Sequence, residues 1–379
     1  MFEKFKFRIL LLFALLLMFY IIPVQSLPGY VSYAFSQKKN LNINFNLVNG
    51  SIKEVSADPS NEVVFQVEVT NSTGQPLEKA HVIVEIIDGD GKLSSKSIRT
   101  DKFGKSLVSY YPPQATSENT SEKFSTVKIK ATLSGSSKYS EKSLSLVKNP
   151  VVLIHGYNAA GYIFDNMKNY LSTLGYEAHS IDYKSTDGVE AAAKELNTYL
   201  QKIRNDYLTK GIQVKKFDII AHSMGGLVAR FYTCSTDYSI NNDVRKIIFI
   251  STPQKGSLWA SIATGYYNDR AIQDLIPDNP LLSVTLPSTL NKGLNPNIQV
   301  GSILDQYDEV VTPESASLEE WKISTDIFNV GENNITMGSL LSGNIIETAN
   351  HAIILNNKKV FETMGRMLED QLPYPTLRK

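Results

Sequence analysis

Ser223 stands in Ala221-His222-Ser223-Met224-Gly225-Gly226, between the strand-like run Phe217-Asp218-Ile219-Ile220 and an apolar stretch from Leu227 to Tyr232. A buried strand that turns sharply into a helix lifts the residue at the turn above the sheet edge, where a hydroxyl can act as a nucleophile. Strand and helix pass close together in such a turn, so small residues must flank it. Here Ala221, Gly225 and Gly226 fill those places, a G-x-S-x-G pattern with Ala first. The competing reading is a Ser-Gly helix cap. A nucleophilic serine needs a base, and the chain offers 5 histidines: His81, His155, His179, His222 and His351. Two carboxylates, Asp305 and Asp308, follow the apolar run Ile298-Gln299-Val300-Gly301-Ser302-Ile303-Leu304. One cysteine, Cys234, excludes an intramolecular disulfide framework and any multi-cysteine zinc site.

The elements around these residues alternate. Val151-Val152-Leu153-Ile154 is a continuous apolar run, as expected of a strand buried on both faces. A helix from about Phe164 to Leu174 follows, then a strand near Glu177 to Asp182. Val189, Ala193, Leu196, Leu200 and Ile203 recur at helical spacing on one face. Further strands are read at Phe217–Ile220, Lys246–Ile250 and Ile298–Leu304, with a closing helix from Val360 to Leu372. Strand-helix alternation from Asn149 onward implies an α/β domain, 149–379, built on a doubly wound, mostly parallel sheet.

Residues 40–148 read differently. Val63–Val69, His81–Ile87, Ser95–Arg99, Ser106–Tyr110 and Thr126–Leu133 are short strand-like runs, separated by turns such as Asn71-Ser72-Thr73-Gly74 and Asp88-Gly89-Asp90-Gly91. About seven such runs at short spacing indicate an all-β sandwich. Before it, Lys4, Lys6 and Arg8 precede an apolar run from Ile9 to Val24, with small residues at Ser26 and again at Ser36. That run reaches about 24 Å as a helix, short of the roughly 30 Å hydrocarbon core. We read residues 1–26, or 1–36, as a cleaved signal peptide, with an uncleaved membrane anchor as the alternative. The expected location is secreted or cell-surface. No cysteine follows the apolar run closely, which excludes a lipoprotein anchor.

The 379 residues suggest two or three domains, and 42% hydrophobic with 20% charged residues excludes a disordered chain. Lys plus Arg and Asp plus Glu both total 38, so no basic excess exists to hold a nucleic-acid backbone.

His155-Gly156-Tyr157-Asn158 after the first buried strand, the Ala-His-Ser-Met-Gly-Gly turn, and Ser251-Thr252-Pro253-Gln254-Lys255-Gly256-Ser257 resemble, in that order, segments of secreted bacterial lipases of the α/β-hydrolase fold. Ala271-Ile272-Gln273-Asp274-Leu275 is similar to a further lipase segment. The resemblance spans Asn149 to the C-terminus. Gly74-Gln75-Pro76-Leu77 and Thr100-Asp101-Lys102-Phe103-Gly104 resemble turns of bacterial immunoglobulin-like domains. The lipase resemblance implies an oxyanion hole of two backbone N–H groups, from Met224 and Tyr157. It implies the chain order Ser, acid, His, which leaves His351, read as lying in a loop before the last helix, as the base. It places the acid after the strand ending at Leu304; Asp308-Glu309-Val310-Val311 is similar to the family's D-x-V-V-like pattern, with the apolar pair packed beneath the acid, so Asp308 is preferred to Asp305. His155 would shape the loop.

Together these readings describe an immunoglobulin-like sandwich before an α/β-hydrolase domain. The resemblance implies a lipase or carboxylesterase acting through Ser223, His351 and Asp308 and an acyl-enzyme; the apolar side chains of the segment from Leu258 to Leu290 point to medium-chain lipid esters as substrates. Leu258 to Leu290 is rich in apolar side chains and reads as a cap over the acyl site, with Trp259, Tyr266 and Leu275 as substrate-binding candidates; buried connecting helices are the alternative. No redox cofactor or catalytic metal is called for, while a structural calcium ion stays open. Two other functions stay open as well. One is acyl transfer by the same triad. The other is a surface adhesion protein with an inert hydrolase domain, whose sandwich would contact polysaccharide or the cell surface.

Overall fold

The computed structural model describes residues 41–115, 126–331 and 349–378. The N-terminal segment read as an export signal lies outside the described residues.

The first strands are β1 (Asn42–Leu47), β2 (Glu54–Ser56), β3 (Val63–Thr70), β4 (His81–Asp88), β5 (Lys92–Leu93), β6 (Ser97–Arg99), β7 (Lys105–Tyr111), β8 (Thr126–Leu133) and β9 (Tyr139–Val147). They form two sheets, β1-β3-β7-β5 and β2-β9-β8-β4-β6. The period-two pattern explains why. In β3, Val63, Phe65, Val67 and Val69 are buried while Val64, Gln66, Glu68 and Thr70 face outward. In β8, Val127, Ile129, Ala131 and Leu133 do the same from the opposing sheet. Alternation puts one apolar face on each sheet, and the two faces close a single core in which Phe45 stacks on Phe65. This is a two-sheet all-β sandwich, as the period-two runs imply. The short strands β2 and β5 carry no readable periodicity.

The remaining strands are β10 (Val151–Ile154), β11 (Ala178–Ile181), β12 (Ile212–Gln213), β13 (Phe217–His222), β14 (Val244–Ile250), β15 (Gln299–Asp305) and β16 (Asp326–Phe328). Six form a sheet in the order β11-β10-β13-β14-β15-β16, parallel throughout. The apolar runs divide between its two faces. Val152, Ile154, Ile219, Ala221, Ile247 and Phe249 meet the helices Val189–Thr209 and Met224–Thr233. Val151, Leu153, Ile220, Ile248 and Ile250 meet the helices Asp165–Thr173 and Lys358–Glu369. Helices on both faces are why these strands read as unbroken apolar stretches rather than alternating ones.

The last helix departs from expectation, and one short strand was not legible at all. The closing helix stops at Glu369, not Leu372. Lys246, buried in β14, donates from Nζ to the carbonyls of Met367, Leu368 and Asp370 at 3.0, 2.7 and 2.5 Å, and captures the helix end. Burial holds the Lys246 ammonium down at about 8. The two-residue strand β12 lies outside the parallel sheet and pairs with β2 in the sandwich. Asn61 fixes that junction, donating to the Gln213 carbonyl at 2.9 Å and accepting from Gln213 Nε2 at 2.8 Å.

Candidate active site

In the parallel sheet the chain runs from β10 outward to β11 and then returns across β10 to β13. That reversal opens a crevice at the carboxyl ends of β10 and β13, the usual ligand position in open α/β sheets. Ser223 sits there. Its backbone has φ 54° and ψ −131°, a conformation that costs an L-residue on the order of 1–3 kcal/mol. The Ser223 N–H bonds to the Ile250 carbonyl at 2.9 Å, which ties the turn to β14. A Cβ on Gly225 would lie 2.4 Å from the Ile154 carbonyl oxygen, and one on Gly226 would lie 2.0 Å from Thr252 Oγ1. Only glycine lets the helix approach the sheet this closely. The Ser223 side chain makes no capping bond to its helix, so the cap reading does not hold.

Instead, Ser223 Oγ lies 2.9 Å from His351 Nε2. The other ring nitrogen of His351 lies 2.8 Å from Asp308 Oδ2 and 3.0 Å from Oδ1. Asp308 Oδ1 also accepts the N–H groups of Val310 and Val311 at 2.9 and 2.8 Å. The apolar pair therefore serves Asp308 through its main chain, while the Val311 side chain packs with Leu304 and Ala316. Burial opposes ionisation of Asp308, but the facing His351 and these donors outweigh it and hold the carboxyl below its ordinary range. His351 lies in the one-turn helix Asn350–Ile353, not in a loop. Asp305 is the last residue of β15 and fully buried; its Oδ1 accepts the Val330 N–H at 2.9 Å, and burial raises its pKa. It does not reach His351.

The other histidines are placed elsewhere. His81 Nε2 meets Ser97 Oγ in the sandwich, and His179 Nε2 meets the Tyr207 hydroxyl. His155 is fully buried, stacked on Tyr183, with Nδ1 2.9 Å from the Gly156 carbonyl. His222 turns toward His351: its Nε2 lies 2.7 Å from the His351 carbonyl oxygen and the two rings are 4.7 Å apart. Burial first, and His351 second, push the His222 imidazole down to about 3. It is neutral at ordinary pH and donates that hydrogen bond. Nothing in the residue order announced this contact, because it depends on where two distant turns meet.

Met224 opens its helix and Tyr157 lies just past β10. Neither main-chain N–H has a partner among the described residues, so both are free to hold an anionic oxygen. A cleft of about 590 Å³ opens above Ser223 and His351, and Trp259, Tyr266 and Leu275 line it with Tyr157. That volume suits a small organic ligand. The segment 258–290 folds as short helices, Leu258–Ala263 and Arg270–Leu275, and a π-turn at Leu281–Thr285. Ala260, Ala263, Ala271, Ile272 and Leu275 are buried, while Leu258, Tyr266 and Tyr267 stay half or more exposed at 69%, 72% and 50%. The segment is both packed connection and cleft wall. Tyr157 joins it to the loop after β10: its hydroxyl donates to Asp269 Oδ2 at 2.6 Å.

A parallel sheet with a strained serine turn at its reversal point, met by a histidine and a buried aspartate, defines the class as a serine-centred α/β protein. The family described as alpha/beta hydrolase fold matches residues 149–353, and the chain belongs to it. Similar solved structures include a Bacillus licheniformis lipase in its mature form, at 17% identity over 59% of this chain and 92% of that one, TM-score 0.44. A Listeria innocua protein is 15% identical over 59% of this chain and 94% of its own, TM-score 0.43. The D00-D0 domain of intimin is 16% identical over 29% of this chain, TM-score 0.25; this chain covers 49% of its length. The protein is a hydrolase by family.

Proposed function

We propose that the protein is an exported lipase or carboxylesterase that cleaves carboxylic esters of medium-chain acyl groups through Ser223, His351 and Asp308. The observation that carries this reading is the 2.9 Å approach of His351 Nε2 to Ser223 Oγ, with the opposite ring nitrogen on Asp308. His351 takes the hydroxyl proton as Ser223 attacks the ester carbonyl, and Asp308 stabilises the imidazolium that results. The N–H groups of Met224 and Tyr157 hold the tetrahedral oxyanion. His351 then gives its proton to the departing alcohol. Water, activated by the same histidine, attacks the acyl-Ser223 ester and releases the acid. Transfer of the acyl group to an alcohol uses the same steps with a different final acceptor, and product analysis with added alcohol separates the two.

The apolar wall formed by Trp259, Ile262, Ala263 and Leu275 supports an acyl-binding role. Each buried CH₂ is worth about 0.8 kcal/mol, so three added methylenes favour binding by about 2.4 kcal/mol, or roughly fifty-fold. The test is hydrolysis across esters of increasing acyl length. Efficiency should peak at about C6 to C10, and Trp259→Ala should shrink that preference more than it lowers acetate hydrolysis. An acetate optimum insensitive to Trp259→Ala removes the lipid ester from the reading and leaves a short-chain esterase.

A further inference from the structure

The helix that carries His351 is only four residues long, Asn350–Ile353. One turn closes few internal hydrogen bonds and leaves its first N–H groups unpaired, so it cannot hold a side chain in register alone. Glu309 supplies what it lacks. Its Oε1 accepts the Asn350 N–H at 3.1 Å and its Oε2 accepts the His351 N–H at 3.3 Å. A carboxylate at a helix N-terminus is also favourably placed for charge. Asn350 Nδ2 adds a bond to the Tyr307 carbonyl at 3.0 Å, from the same loop. On the far side, His222 Nε2 donates to the His351 carbonyl at 2.7 Å.

A regularity follows. Asp308 and Glu309 are neighbours, and so are His222 and Ser223. In each pair one side chain engages the His351 ring and the other engages the His351 main chain. Because each main-chain anchor adjoins a ring partner, the distances from His351 to Asp308 and to Ser223 are set together. We propose that Glu309 is a positioning residue for His351: with His222 as the opposing anchor, it holds the base in line between Asp308 and Ser223. This rests on the Ser223 hydrolase reading above.

The test compares Glu309→Ala and Glu309→Gln with the unaltered full chain, counting competent sites by fluorophosphonate titration. Turnover per titrated site separates a misplaced base from a lost fold. Glu309→Ala should lower kcat per site by about 10- to 100-fold with KM nearly unchanged, the scale expected when a catalytic group shifts by about 1 Å. Glu309→Gln keeps one acceptor oxygen and should recover most of that loss. Normal turnover per site in Glu309→Ala, or a loss explained wholly by fewer titratable sites, overturns the proposal. A second readout does not depend on activity. The low-field Nδ1–H proton of His351 should be sharp in the wild type and in Glu309→Gln, and broadened or lost in Glu309→Ala. If the wild type takes no label at Ser223, the hydrolase reading fails and this proton signal alone decides the bracket; an unchanged signal in Glu309→Ala refutes it.

Discussion

The Tyr157 hydroxyl lies 2.6 Å from Asp269 Oδ2, and Asp269 Oδ1 in turn accepts the Ile272 N–H at 3.0 Å to cap the helix Arg270–Leu275. One carboxylate thus joins the loop that presents the Tyr157 N–H to the wall of the cleft. Asp269 raises the Tyr157 phenol pKa after burial does, so this hydroxyl stays a donor at any working pH.

Tyr157→Phe keeps the main-chain N–H and removes only this link. A hydrogen bond to a charged acceptor contributes about 1.5–3 kcal/mol. Losing the link should loosen the loop that carries the Tyr157 N–H and lower kcat/KM on a hexanoate ester by about tenfold, within the roughly 10²-fold cost of a misplacement of about 1 Å. Parallel kinetics of Tyr157→Phe and Asp269→Asn check it. Equal activity of both variants and wild type means that the wall and the loop are independent.

Asp308 and Asp305 should separate cleanly. Asp308→Asn leaves the shape intact but presents an amide where His351 Nδ1–H needs an acceptor, and turnover should fall by about 10⁴. Asp305→Asn is nearly isosteric, keeps the acceptor for Val330 and lies off the His351 ring, so turnover should stay within about threefold of wild type. The reverse ranking in steady-state assays transfers the acid role to Asp305.

His222 makes stability depend on pH. Its folded pKa is about 3 against an unperturbed 6.5, so the unfolded chain binds more protons between those values. Stability is then highest above about pH 6.5 and is lost as pH falls toward 3, by on the order of 4 kcal/mol. Asp308, held below its ordinary range, adds a loss of the same sign at the acid end, below about pH 4. Chemical denaturation from pH 7 to 4 measures the slope. His222→Gln keeps a donor for the His351 carbonyl without a titrating ring, and should reduce the slope between pH 6.5 and 4 by its one proton, leaving the part due to His155 and His179, which burial also lowers; an unchanged slope assigns the proton uptake to other groups.

The parallel sheet was legible because Val151–Ile154 and Ile247–Ile250 are apolar runs too continuous for a half-solvated sheet, and because strands alternate with helices from Asn149 onward. The serine turn was legible because Gly225 and Gly226 leave a local trace of close packing. His351 and Asp308 were reached only through chain order in a family, since no spacing joins residues 43 positions apart. What stayed hidden shares a cause. Strands β12 and β16, with two and three residues, are too short to show a period. The helix Asn350–Ile353 is a single turn, and the roles of Glu309 and His222 lie in main-chain groups of a distant segment. Lys246 ends the last helix from a neighbouring strand, which no local pattern encodes.

The central claim is that Ser223 is the nucleophile, and covalent labelling with a fluorophosphonate tests it most directly. The reagent needs an activated hydroxyl and donors for its tetrahedral oxygen, both of which meet at Ser223. Intact mass and peptide mapping should show one adduct, on Ser223. It should be absent in Ser223→Ala and strongly slowed in His351→Ala, with ester turnover reduced by about 10⁶ in each variant. An adduct that persists unchanged in Ser223→Ala, or that maps to another residue in the wild type, contradicts the account.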